Sequence, residues 1–232
     1  MQRYGPSPMP KNSALWRRLS NMRLYLSSFD IGDRPDELVK LAPKGRIGLI
    51  MNALDNFPDA RQNWQSAQTE KLAALGFTVE PFDLRDYFGA PCRVPDRLKQ
   101  LDAVWINGGN AFVLRRAMAM SGFDKAIKVA LAHDEIAYAG FSAAAVVLHE
   151  SLRGLELIDD PTDVPDGYPK DVPWDGLDIL PFSIVVHADS DHPESEGALK
   201  EVEFYRANGI AFKTLKDGQA LVLSNGPAFI VP

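Results

Sequence analysis

Ile136-Ala-Tyr-Ala-Gly-Phe-Ser-Ala-Ala-Ala145 is the stretch on which the reading of this chain turns. An apolar and aromatic run leads into Gly140, Gly-x-Ser follows, and small residues that read as helix come next. Strand, sharp turn and helix, with a hydroxyl at the turn, is the layout of a nucleophile elbow. The turn is strained, its neighbours must be small, and the Ser142 oxygen is lifted above the sheet edge.

Ala103-Val-Trp-Ile-Asn-Gly-Gly-Asn110 is the companion stretch. It reads as a second buried strand ending in two glycines, which free backbone N–H groups to face a ligand. With Ser142 as nucleophile, the natural oxyanion donors are the N–H of Ala143 and the N–H of Gly109. The plain alternative for Gly108-Gly109 is a tight strand-to-helix turn, and both readings can hold together.

Outward from these stretches the chain alternates. Short apolar runs predict strands at 23–29, 46–51, 78–83, 103–106 and 136–141, the pattern of strands covered on both faces. Between them, helical periodicity covers 61–75, with Gly76 as a stop, and 111–120 and 123–133, split by Ser121-Gly122. The expectation is an α/β, flavodoxin-like three-layer sandwich with a mainly parallel sheet and helices on both faces. Residues 151–176 carry four prolines and no period, which suggests a functional loop or lid. A strand is expected at 177–186 and a helix at 194–208. Short strands follow at 210–215, 220–223 and 229–231, with hairpin turns at Asp217-Gly218 and Asn225-Gly226.

The chain has 232 residues, 46% hydrophobic and 24% charged, which suits one domain with an ample core. Residues 1–21 hold three prolines and little periodicity and read as a disordered extension, so one domain is expected over 22–232. A net charge of −6 disfavours a nucleic-acid partner. No apolar run reaches the roughly 20 residues of a membrane span. The single cysteine, Cys92, fits a reducing compartment, and a cytoplasmic location is expected. Flanked by Pro91 and Arg93 with no histidine nearby in sequence, Cys92 is a poor nucleophile candidate.

A serine nucleophile needs a base, and the base an orienting acid. His133 and His149 fall late in expected helices. His187 directly follows the apolar run Ile184-Val-Val186, on the edge where open α/β sheets build their sites, so it is the first choice of base. His192 is the second. For the acid, Asp217, Asp159, Asp160, Asp189 and Asp191 stay open on sequence alone. Arg153, early in the long loop, could clamp a substrate carboxylate or anchor the loop to a nearby aspartate. Asn110 is a further substrate-binding candidate. His187-Ala-Asp-Ser-Asp-His-Pro-Glu194 is a weak metal signal; no metal and no cofactor are expected.

At these residues the chain resembles the peptidase E family, which includes aspartyl dipeptidase and the cyanophycinases and is similar in fold to class I glutamine amidotransferases. The resemblance runs from Met22-Arg-Leu-Tyr-Leu-Ser-Ser-Phe29 through Trp105-Ile-Asn-Gly-Gly-Asn-Ala-Phe112 and Ala139-Gly-Phe-Ser-Ala143. It continues over Leu180-Pro-Phe-Ser-Ile-Val-Val-His187 and the turn Leu215-Lys-Asp-Gly218. It implies Ser142 as nucleophile, His187 as base and Gly109 and Ala143 as oxyanion donors. Asp217 is the favoured acid, with Asp159 or Asp160 the alternative, and Arg153 matches an arginine suited to an acidic substrate side chain. The chain departs from the family pattern at Ala144 (usually Gly), Ala111 (usually Thr) and Val186 (usually Pro). An Ala144 with positive φ costs about 1 kcal/mol; a helical Ala144 is an asset.

The expected activity is a serine exopeptidase on short peptides, with N-terminal Asp as one candidate substrate feature, working as monomer or homodimer. The rivals are a weakened family member that binds an acidic peptide or metabolite, and an amidotransferase-like amidase using Ser in place of Cys.

Overall fold

In a computed structural model, which describes Leu19 and residues 21–43, 45–224 and 226–232, successive residues of each central strand feed opposite cores. The strands are β1 (Arg23–Ser27), β2 (Arg46–Ile50), β3 (Thr78–Pro81), β4 (Ala103–Ile106) and β5 (Ala137–Phe141). Leu24, Leu26, Val104, Ile106 and Tyr138 join one buried cluster with Phe112 of α4 (Ala111–Ser121) and Leu131 of α5 (Phe123–Ala132). Tyr25, Ile47, Leu49, Trp105 and Ala139 join another, with Leu38 of the helix Pro35–Leu41 (α1) and Leu72 of the helix Pro58–Ala74 (α2). In β1, β2, β4 and β5 both faces are covered, which is why these strands read as apolar runs rather than alternating ones, whereas the edge strand β3 is half-exposed.

Among the described residues β8 spans Ala220–Leu223 and β9 Phe229–Val231, and the main sheet has seven strands in the order β3-β2-β4-β5-β1-β8-β9. β1 to β5 pair in parallel, whereas β8 runs antiparallel to β1 and to β9, forming the C-terminal hairpin. The remaining helices are α3 (Val94–Leu98), α6 (Ala143–Val146) and α7 (Ser195–Ala207). Punctuation follows the sequence: α2 begins at Pro58, whose fixed φ suits a first helical position, and Gly76 takes φ +93° just past its end. Gly122, at φ +75°, separates α4 from α5.

Three expectations are corrected. The strand expected over 177–186 is reduced to β6 (Ser183–Val185). The N–H groups of Leu177, Ile179 and Leu180 donate instead to the carbonyls of Val147 and Leu148, so this segment is buried without being strand. The Asp217-Gly218 turn exists, closed by Gln219 N–H to the Lys216 carbonyl, but it joins no hairpin. β7 (Phe212–Thr214) pairs in parallel with β6 in a separate two-stranded sheet, while β8 belongs to the main one. The 151–176 segment is no free lid. Leu152 and Leu155 are buried, Ser151 bridges Asp175, and the buried Arg116 donates to the Pro169 and Pro161 carbonyls at 3.0 and 2.8 Å.

The expected extension over 1–21 lies outside the described residues except for Leu19, buried in the core beside Met22, and the exposed Asn21. Asn225, expected in the last turn, also lies outside them. No helix among the described residues is long and apolar enough to cross a membrane.

Candidate active site

Parallel pairing sends the C-terminal ends of β1, β2, β4 and β5 to one edge, and the candidate residues follow those ends. Ser142, the residue after β5, has φ 50° and ψ −110°, a conformation that costs a non-glycine residue about 1–3 kcal/mol. It is held by its own N–H to the Ser27 carbonyl at 3.2 Å, while its carbonyl accepts from Ala145 and Val146 as α6 starts.

The flanking residues are small because the space is gone. A Cβ on Gly140 would stand 2.3 Å from the Ile106 carbonyl oxygen and 2.6 Å from the Ala144 methyl. Ala144 is helical, so its methyl carries no left-handed penalty; Gly140 makes the room for it. A Cβ on Gly108 would stand 3.0 Å from that of Ser142, and one on Gly109, at φ +136°, 2.6 Å from the Ala53 carbonyl oxygen. The N–H groups of Gly109 and Ala143 are not taken up by other described residues. Gly109 lines the same cleft as Ser142, and Ala143 directly follows Ser142 at the start of α6.

His187 is buried beyond β6, with φ 55°. Its Nδ1 lies 2.8 Å from Asp217 Oδ1, so Nδ1–H donates to the carboxylate and the lone pair stays on Nε2. Ser28, just past β1, ties the pair together: its Oγ accepts from the His187 N–H at 2.8 Å and donates to Asp217 Oδ1 at 2.8 Å. Asp217 N–H donates to Ser190 Oγ at 2.8 Å. His187 is pushed below the ordinary histidine range, first by burial and secondarily by His192, against the pull of Asp217 and Glu194. A neutral imidazole oriented by a carboxylate is a competent proton acceptor.

Ser142 and His187 line one cleft of about 150 Å³ with Phe29, Leu54, Trp64, Gly108, Gly109, Phe141, His192 and Glu194. Both residues line this cleft without a hydrogen bond between them among the described residues. His192 stacks on His187 with centroids 3.7 Å apart, and Phe29 packs edge-on against His187 and tilted against His192. Glu194 Oε2 lies 3.6 Å from His187 Nε2. Behind Ser142 a smaller recess of about 20 Å³ is lined by Asp159, Glu194 and Glu201. Burial, then nearby carboxylates, pushes Asp159 up to about 7 against the Ala111 N–H, which it accepts at 2.8 Å. The fully buried Glu201 is pushed up to about 8, again first by burial.

Other sequence candidates are not brought here. Asp160 is exposed and its carboxylate accepts from the Thr162 N–H and hydroxyl, so it does not orient His187. Asn110 caps α4: Oδ1 accepts from Phe112 and Val113, and Nδ2 donates to the Asp160 carbonyl, leaving its side chain fully engaged. Arg153 lies flat over Trp174 at 3.6 Å and does not line the cleft. Cys92 is exposed, on another face. The residues that sequence reasoning missed are Ser28, Phe29 and Trp64. The signal for the first two was their place just past β1, on the same edge as Ser142.

The family model for peptidase family S51 matches residues 57–231, three quarters of the chain and every element after α1 and β2. The chain belongs to peptidase family S51. Among solved structures it is similar to a putative peptidase E from Listeria monocytogenes EGD-e. That likeness has TM-score 0.73 and 20% identity over 90% of this chain and 98% of that one. It is also similar to a peptidase from an acI-B1 Actinobacterium, with TM-score 0.59 and 13% identity over 91% and 94% of the two chains. Both likenesses bear on the fold, a peptidase E fold. No functionally curated protein matches in sequence. In this member of family S51, Ala144 lies in α6 without backbone strain.

Proposed function

We propose that this family S51 member is a serine exopeptidase that cleaves short peptides carrying a free α-amine. The observation that carries the reading is the strained Ser142 in one cleft with a neutral His187 hydrogen-bonded to Asp217. Ser142 Oγ attacks the scissile carbonyl carbon and passes its proton to His187 Nε2. Asp217 steadies the imidazolium so formed, and the Gly109 and Ala143 N–H groups take the carbonyl oxygen as it becomes an oxyanion. His187 then gives the proton to the leaving amine, and water hydrolyses the acyl-enzyme by the same route.

Charge near the nucleophile points to the substrate. No Lys or Arg lines the cleft, and Glu194 is the acid that lines both the cleft and the recess; Asp159 and Glu201, pushed up to about 7 and about 8, stay in good part protonated near neutral pH and add little negative charge. Carboxylates beside a nucleophile favour a substrate ammonium and disfavour an acidic side chain. An N-terminal Asp preference read by Arg153 therefore loses its support. A cleft of about 150 Å³ suits short substrates.

The test is a panel of neutral, acidic and basic dipeptides, each also N-acetylated, with wild type and Ser142→Ala. The reading expects turnover of free-amine dipeptides, a loss of about a hundredfold or more on acetylation, and none in the variant. Ammonia release from glutamine without peptide cleavage would make the chain an amidase. No turnover by folded protein on any substrate would leave a binding role.

A further inference from the structure

We propose that His187, His192 and Glu194 form a zinc-class metal site that turns the candidate active site off. One donor atom from each lies within 4.8 Å of the others, on a single eight-residue stretch at the mouth of the cleft. His187 Nε2 and Glu194 Oε2 are 3.6 Å apart. Two donors that share one zinc at about 2.0–2.2 Å each stand roughly 3.2–3.6 Å apart, so this pair needs almost no movement.

The hydrogen bond that makes His187 a base also makes it a ligand. Nδ1–H donates to Asp217 at 2.8 Å, leaving the Nε2 lone pair on the cleft side. A carboxylate behind a histidine in this way fixes the tautomer and raises donor strength in metal sites. The third ligand requires one motion. The two imidazoles are stacked within 8° of parallel, whereas a metal sits in the plane of each ring it binds, so the His192 ring must turn out of the stack. His192 is only partly buried, and the turn exchanges the Glu194 N–H, from which its Nδ1 accepts at 3.2 Å, for the metal, while His187 stays fixed by Asp217 and Ser28. Two imidazoles and one carboxylate suit zinc or copper(II) and suit magnesium or calcium poorly. A bound ion occupies the lone pair that would accept the Ser142 proton, so metal and base function exclude each other.

The experiment is calorimetric titration of the full chain with ZnCl₂ in a non-coordinating buffer, for wild type, His192→Ala and Glu194→Gln. Expected are one ion per chain in wild type and affinity weaker by roughly tenfold or more in each variant. Magnesium should give no heat of binding, and Co²⁺ should show the visible bands of a four-coordinate ion. Fluorophosphonate labelling of wild-type Ser142 should stop at one equivalent of zinc and return with EDTA. Absent saturable binding to wild type, or unchanged affinity in both variants, overturns the proposal. Because the titration reads the ion and not turnover, zinc binding by a chain that cleaves no peptide would keep the metal site and sink the peptidase reading.

Discussion

His187 carries opposing influences that a single pH profile separates. Burial disfavours its charged form most, His192 adds to that, and Asp217 and Glu194 resist. The net displacement is downward, so the neutral base persists below the ordinary histidine range. The acid limb of kcat/KM is therefore expected to have its midpoint below about 6.5. A midpoint above that value would mean that the carboxylates dominate the imidazole. At this scale the places of Ser142 and His187 at the strand ends were legible, because each directly follows an apolar strand run. Asp217 stayed one of five open aspartates on the residues alone and was favoured only through the family resemblance. Asn110 caps α4 through local bonds to Phe112 and Val113, but its Nδ2 bond to the Asp160 carbonyl, and Arg153 on Trp174, were not legible because both depend on how the 151–176 segment packs.

At the scale of elements, the turns after β4 and β5 fit each other with no slack. Gly108 abuts Ser142, Gly140 abuts Ala144, and Gly109 abuts the Ala53 carbonyl. Gly109→Ala combines a positive φ with a 2.6 Å contact to backbone oxygen. It is expected to destabilise the fold by about 1–3 kcal/mol and to cut kcat about a hundredfold by displacing one oxyanion donor. Denaturant unfolding and steady-state kinetics check the two halves separately; a Gly109→Ala enzyme with unaltered kcat would remove that N–H from the mechanism. Four of the five parallel strands were legible because strands with two covered faces are continuous apolar runs; the fifth, the half-exposed edge strand β3, is not such a run. Leu177–Leu180 is just as apolar, yet Gly176 and its successors meet the 147–149 carbonyls before any strand can accept them. Apolar composition reports burial, not which partner takes the hydrogen bonds.

For the whole molecule, the buried acid behind the nucleophile ties stability to pH. Glu201 is fully buried, accepts from Tyr205 Oη at 2.7 Å and is pushed up to about 8. The folded chain therefore holds a proton that the unfolded chain loses near pH 4–5, and stability falls as pH rises from there to about 8. His187 acts oppositely: its lowered folded value means stability falls as pH drops below about 6.5. Glu201→Gln is expected to flatten the decline in Tm between pH 6 and 8.5, read by thermal unfolding. An equally steep decline in the variant would place the proton elsewhere.

The central claim is that Ser142 is a nucleophile activated by His187 and Asp217. The most direct measurement is the rate of fluorophosphonate labelling, with the adduct mapped by mass spectrometry, in wild type, Ser142→Ala and Asp217→Asn. One adduct on Ser142, absent in Ser142→Ala and formed about 10³–10⁴-fold more slowly in Asp217→Asn, is the predicted result. Folded wild-type protein that takes no label, or an Asp217→Asn variant labelled at the wild-type rate, would contradict it.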